Sequence, residues 1–184
     1  MLVTNLTNIG YLTGFTGSSA NLLITPKQEI LMSDSRYQSQ LISQCPDLEI
    51  DIRDSTTTLI DSVERISKAC KLSSILFESD SITKSEFDQL ETRLASFEMI
   101  GTRGLIETAR AIKDKTEIAA VRRSIQINQR TFEVIRSQLT ADQTELEIAH
   151  NLEHQMRRFG AQGCAFAPIV GVGPRAALPH GRPS

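Results

Sequence analysis

The order of strand and helix signals in residues 1–100 constrains the fold of this chain more than any other feature. Two short apolar runs, residues 20–25 and 29–33, flank Pro26-Lys27-Gln28 and predict an antiparallel hairpin. Strand patterns then alternate with helical ones, and each strand–helix–strand crossover requires that its two strands run parallel. The sequence therefore predicts an α/β unit whose mixed sheet carries helices on both faces.

Local patterns place the individual elements of this unit. Residues 48–53 alternate apolar and charged side chains, which is the period of a half-buried strand. Thr83 and Glu86 form a capping box that marks the start of a helix. The other candidates are a short helix over residues 35–44, a helix that carries Leu59, Val63 and Ile66, and strands over residues 74–77 and 97–100.

Two further helices predict a separate domain in the second half of the chain. Asp114 begins a long amphipathic helix, with Glu117 completing its capping box, and Thr144 begins the next. Gly160 is a typical residue for the end of that second helix. Residues 164–170 are expected to form a strand.

The domain boundary is expected near residues 102–109, where the pattern changes. This gives an N-terminal domain over residues 1–105 and a second domain over residues 106–184. Two long helices and one strand do not close a domain by themselves, so the second part is predicted to be an incomplete α+β unit.

Composition excludes several classes of protein. The formal net charge is -2 and the pI is about 5.9, so no basic footprint indicates binding to nucleic acid. No apolar stretch approaches the length of a membrane span, and the N-terminus does not resemble a signal peptide, so we expect a cytoplasmic protein. The three cysteines, Cys45, Cys70 and Cys164, are far apart and indicate neither a disulfide framework nor a thiolate zinc site.

A possible zinc motif lies in the last predicted helix, where residues 150–154 read H-x-x-E-H. His150 and His154 would share one helical face, and Glu153 could activate a metal-bound water. A third ligand normally comes from a downstream carboxylate, and no Asp or Glu follows Glu153. The favoured interpretation is the partly exposed face of an amphipathic helix, with zinc binding as the alternative.

Two other polar segments have structural and functional interpretations. Gly14 and Gly17 lack the spacing of a phosphate-binding loop, and the favoured interpretation is that they allow tight turns or a positive φ. Asp34 and Arg36 follow a predicted strand, where they could contact a ligand at the sheet edge. An ion pair that fixes the strand-to-helix junction is the favoured interpretation for that pair.

Several segments together resemble the Xaa-Pro peptidases, the creatinase/aminopeptidase P/prolidase family. They are residues 11–18, residues 34–37, Arg110-Ala111-Ile112-Lys113, Glu117-Ile118, the helix that contains Glu145 and Glu147, residues 160–163, Phe166, Ile169-Val170 and Ala177-Leu178-Pro179-His180. The resemblance implies a creatinase-like N-terminal domain followed by the start of a pita-bread catalytic domain. It also implies hydrolysis of proline-containing peptides by a homodimer with two divalent metal ions (Mn, Co or Zn) in the full-length enzyme.

The resemblance makes His180 the candidate catalytic residue, since the matching histidine of the family points into the active site and contacts substrate. The alternative is an exposed histidine without a function. The family's metal ligands, two Asp, one His and two Glu, lie downstream of the segment matched by His180. We therefore expect no metal site in this chain, and we expect the 184 residues alone to be an inactive portion of the enzyme.

Two other functions remain open at this point. The same fold without metals could be a non-catalytic module that binds peptides or proteins. A creatinase-type hydrolase would instead cleave a C–N bond of a small guanidino compound. The residues of this chain do not separate dipeptidase, aminopeptidase and creatinase.

Overall fold

The computed structural model describes residues 1–184. A six-stranded mixed sheet forms the centre of the first unit, Met1–Ile112. In chain order the strands are β1 (Leu2–Val3), β2 (Asn21–Ile24), β3 (Glu29–Asp34), β4 (Glu49–Arg53), β5 (Ser74–Glu78) and β6 (Glu98–Thr102). Their order in the sheet is β4-β3-β2-β1-β5-β6. Strand β2 pairs antiparallel with β1 and β3, whereas the other three pairs are parallel. The predicted mixed sheet is confirmed.

Helices cover both faces of this sheet because successive strand residues point to opposite sides. The helices of the first unit are α1 (Leu6–Thr13), α2 (Gln38–Gln44), α3 (Leu59–Ala69), α4 (Lys84–Arg93) and α5 (Leu105–Ala111), with a 3-10 turn at Ser35–Tyr37 before α2. Leu23 lies opposite Ile30 and packs in a core with α3 and α4. Leu22 lies opposite Leu31 and packs in a second core with α1, α2 and α5. The prediction of helices on both faces is confirmed.

Three elements of the first unit were not predicted from the sequence: β1, α1 and α5. Strand β1 has only two residues and owes its conformation to its neighbours β2 and β5. Helix α1 does carry local signals. The Asn5 side chain accepts hydrogen bonds from the Thr7 and Asn8 amides, and Gly14 ends the helix with a φ of 77°.

Helix α5 extends the first unit to Ile112, seven residues beyond the end predicted from the sequence. Ile106 of this helix is buried in the core that also contains α1 and α2. The fully buried Asn8 donates a hydrogen bond to Glu107 (2.6 Å) and accepts one from Arg110 (2.8 Å). These contacts join α5 to the first unit, and no local pattern predicts them because the partners are about a hundred residues apart.

The second unit, Lys113–Ser184, consists of two long helices and an irregular segment. Helix α6 (Lys115–Gln138) and helix α7 (Glu145–Arg158) begin with the predicted capping boxes, and a 3-10 helix spans Gly173–Ala177. The prediction of a strand over residues 164–170 is wrong, because the backbone of these residues is irregular. A strand needs a neighbouring backbone to pair with, and the second unit contains no other strand. None of the helices combines the length and the apolar character needed to cross a bilayer.

The two units should differ in their protection from proteases. Nearly all buried apolar residues belong to the first unit, whereas Ile135 and Ala149 are the buried ones of the second. The second unit also exposes a row of apolar side chains, namely Ile118, Val121, Ile125 and Phe132 on α6 and Leu139 directly after it. We expect limited trypsin digestion to cut first within residues 113–184, as mass spectrometry of the fragments would show. A first cut within residues 20–100 would contradict this expectation.

Candidate functional site

The segment that carries His180 is attached to the first turn of α7 through a single carboxylate. Glu145, the first residue of α7, is only 5% exposed. Its Oε1 accepts a hydrogen bond from the Val172 amide (2.9 Å), and its Oε2 accepts bonds from the Ser184 amide and hydroxyl (3.1 Å each). Arg175 Nε lies 3.1 Å from Oε1 and 3.0 Å from Oε2. One buried carboxylate thus holds three points of residues 171–184.

These donors stabilise the ionised form of Glu145. The amide of Val172 contributes most, the Arg175 guanidinium and Ser184 add to it, and partial burial opposes them. The pKa of Glu145 falls from its ordinary 4.5 to about 2. The carboxylate is therefore charged throughout the physiological range, and it is matched by the charge of Arg175.

His180 itself is exposed, in a turn whose backbone is held on both sides. The Leu178 amide donates to the Arg175 carbonyl (3.0 Å), and the Gly181 amide donates to the Leu178 carbonyl (3.4 Å). The Arg175 guanidinium also donates to the Arg182 carbonyl (2.7 Å). An exposed imidazole on a restrained loop can donate a hydrogen bond to a substrate carbonyl or transfer a proton to it. Its contact with a substrate stays a prediction.

The H-x-x-E-H segment does not form a metal centre in this structure. His150 and His154 are exposed on α7, and Glu153 forms an ion pair with Arg157 at 3.0 Å. Residues 1–184 contain no cluster of three or more His, Cys, Asp or Glu side chains that could hold a metal ion. These side chains therefore do not supply the set of anionic oxygen ligands that a two-metal centre needs.

Asp34 has a structural role at the end of β3. Its buried carboxylate accepts hydrogen bonds from the Arg36 amide (3.2 Å) and, at 2.8 Å each, from Nε and Nη2 of the Arg36 guanidinium. Arg53, at the end of β4, lies 3.7 Å away. The Arg36 guanidinium holds the pKa of Asp34 well below its usual range. The ion pair favoured for this strand-to-helix junction is confirmed.

The two N-terminal glycines also have structural roles. Gly14 adopts the left-handed conformation that ends α1, as predicted. Gly17 does not have a positive φ; a Cβ at this position would lie 2.1 Å from the ring of Phe15, so a side chain would displace that buried ring.

A buried polar cluster surrounds Asn8, and no local pattern of the sequence predicts it. Glu78, at the end of β5, accepts hydrogen bonds from the amides of Thr4 (2.7 Å) and Asn5 (2.9 Å) and from the Asn8 side chain (2.5 Å). Through Asn8 it connects to Glu107 of α5. These hydrogen bonds join β5, α1 and α5, so we assign the cluster to the packing of α1 and α5.

The low pKa of Glu145 predicts an acid transition in the second unit. A carboxylate whose pKa is lowered by folding stabilises the structure above its unfolded pKa, and this stabilisation is lost as the pH falls through the folded pKa. We therefore expect segment 171–184 to detach from α7 between about pH 4.5 and pH 2. The amide resonances of Val172 and Ser184 would report this transition by NMR. Resonances that stay constant down to pH 2 would contradict it.

Two family models match the chain, one after the other. The model described as the Creatinase/Prolidase N-terminal domain matches residues 1–112, and the model described as Metallopeptidase family M24 matches residues 119–184. The two matches follow the division into structural units, whose boundary lies at residues 112 and 113.

Similar proteins cover nearly the whole chain. The uncharacterized peptidase YqhT of Bacillus subtilis (strain 168) is 30% identical over 98% of this chain and 51% of that protein. The structure of an Xaa-Pro dipeptidase from Bacillus anthracis is 34% identical with a TM-score of 0.91, covering 100% of this chain and 51% of that one. The structure of an X-Pro aminopeptidase from Thermotoga maritima MSB8 is 33% identical with a TM-score of 0.88. The match covers 98% of this chain and 51% of that one. The chain spans about half the length of the relatives it matches.

Proposed function

Because this chain belongs to the creatinase/prolidase family, we propose that it serves the hydrolysis of peptide bonds that precede proline. The observation that carries the proposal is the agreement of fold and sequence, over both units, with solved structures named as Xaa-Pro peptidases. In this proposal residues 1–112 act as the N-terminal domain and residues 113–184 as the first part of the catalytic domain.

His180 is the side chain of this chain that we assign to the reaction. Its imidazole would donate a hydrogen bond to the substrate carbonyl or move a proton next to the scissile bond. Its exposure and the restrained backbone around it support this role. Residues 1–184 contain no group of side chains that could bind the divalent metal ions of the family. In this proposal the metal ions are therefore bound by other residues of the complete enzyme.

The test compares the complete product of the gene with the 184-residue chain. Both are incubated with Mn²⁺, Co²⁺ or Zn²⁺ and an Xaa-Pro dipeptide, an Xaa-Pro-Yaa tripeptide, a dipeptide without proline, or creatine. We expect the complete product to cleave a proline-containing peptide and the 184-residue chain to be inactive. Preference for the dipeptide or the tripeptide would separate dipeptidase from aminopeptidase.

Other outcomes of this assay would indicate a different function. Turnover of creatine alone would indicate a creatinase-type hydrolase. Peptide binding without turnover by the complete product would indicate a non-catalytic module. A homodimer and a cytoplasmic location also remain proposals, and sedimentation velocity tests the first of them.

A further inference from the structure

The carboxylate of Glu145 is not needed to begin the helix in which it lies. At the same turn, Glu147 accepts a hydrogen bond from the Thr144 amide (2.8 Å), and Thr144 caps the Glu147 amide in return (3.2 Å). This capping box supplies hydrogen-bond partners for backbone amides in the first turn of α7. Glu145 instead directs its carboxylate to backbone and side-chain groups that lie 27 to 39 residues further along the chain.

The segment that Glu145 holds is closed upon itself around His180. Arg175 bonds to Glu145 and also to the Arg182 carbonyl, so it bridges the two sides of the turn that carries His180. The backbone at Gly171 approaches Ala176 so closely that a Cβ at Gly171 would lie 2.9 Å from the Ala176 Cα. Residues 171–184 therefore form one compact loop whose buried attachment is Glu145.

We propose that Glu145 is a positioning residue for His180: by binding Val172, Arg175 and Ser184, it fixes the loop that presents the imidazole. The proposal rests on the catalytic role proposed for His180. Loss of the carboxylate would leave Arg175 without its anionic partner and would free the loop, while the helix itself keeps its capping box.

The first test compares three forms of the 184-residue chain: the wild type, the variant Glu145→Gln, and the variant Glu147→Gln. Glu147→Gln is the matched control because it makes the same change in the same helical turn. Amide hydrogen exchange and the ring resonances of His180 are followed by NMR. In Glu145→Gln we expect exchange at Leu178 and Gly181 to become about 10- to 100-fold faster, the size expected for a lost charge-assisted bond. In Glu147→Gln we expect faster exchange at the start of α7 and no change at His180.

A second variant reaches the same loop without touching Glu145. Gly171→Ala should crowd Ala176 and release the loop, so its His180 resonances should move in the same direction as those of Glu145→Gln. Circular dichroism shows whether α7 is retained in each variant. Unchanged exchange and unchanged His180 resonances in Glu145→Gln would overturn the proposal, whatever Gly171→Ala shows.

The second test uses the complete gene product and separates this proposal from the proposed function. Glu145→Gln should lower kcat about 10- to 100-fold with little change in KM, and Glu145→Asp should recover part of the loss by restoring the charge. If the wild-type product is inactive, the proposed function fails, and the NMR experiment still decides whether Glu145 fixes the loop. An active product whose kcat is insensitive to Glu145→Gln overturns the positioning role.

Discussion

Replacement of His180 by alanine should lower the turnover of an Xaa-Pro peptide by the complete gene product about 10²- to 10⁴-fold, the usual contribution of a positioned acid–base group. The imidazole is exposed on the loop held by Glu145, so it is available to a substrate and its loss leaves the buried contacts intact. Steady-state kinetics measure the effect. Metal content, determined by atomic emission, should be unchanged because His180 is not an expected metal ligand.

The matched control for this substitution is His154→Ala. His154 is also exposed, but it lies on α7, where no proposed step involves it. We expect His154→Ala to keep kcat within about twofold of wild type, as for other surface substitutions. Wild-type kinetics in His180→Ala would leave His180 as an exposed histidine without a catalytic role.

The substitution Leu41→Ala should lower the free energy of unfolding of the first unit by about 2 to 5 kcal/mol. Leu41 of α2 is 0% exposed and packs in the core formed with α1 and α5. Truncation to alanine removes apolar contacts and leaves a cavity beneath the sheet. Urea denaturation followed by circular dichroism would measure the change.

Ile42→Ala is the matched control because it removes a side chain of the same size from the next position of α2. Ile42 is 62% exposed, so its truncation should change the free energy of unfolding by less than about 0.5 kcal/mol. Equal destabilisation by the two substitutions would show that the packing described for α2 is incorrect.

Membership of the family, inferred from several separated segments of sequence, is confirmed by both family models. The part of the candidate site that the sequence predicts is His180, through that resemblance. The anchor of its loop could not be predicted in this way. Glu145 and Glu147 lie two positions apart and carry the same side chain. Only their hydrogen-bond partners in the structure show that Glu147 caps the helix and that Glu145 holds the loop.

Elements with strong local signals were determined by the sequence alone. The capping boxes at Thr83, Asp114 and Thr144 all mark helix starts in the structure, because the bonds of a capping box join residues only three positions apart. The hairpin and the crossovers likewise required a mixed sheet, since chain direction decides which strands can run parallel.

Only the tertiary structure decided the remaining elements. Strand β1 exists because β2 and β5 flank it, and residues 164–170 stay irregular because the second unit offers no strand to pair with. Helix α5 belongs to the first unit through Ile106 and Asn8, and the loop around His180 is held by Glu145. Each of these outcomes depends on contacts between residues that are distant in the chain, and the free energy of such contacts is absent from any local pattern of sequence.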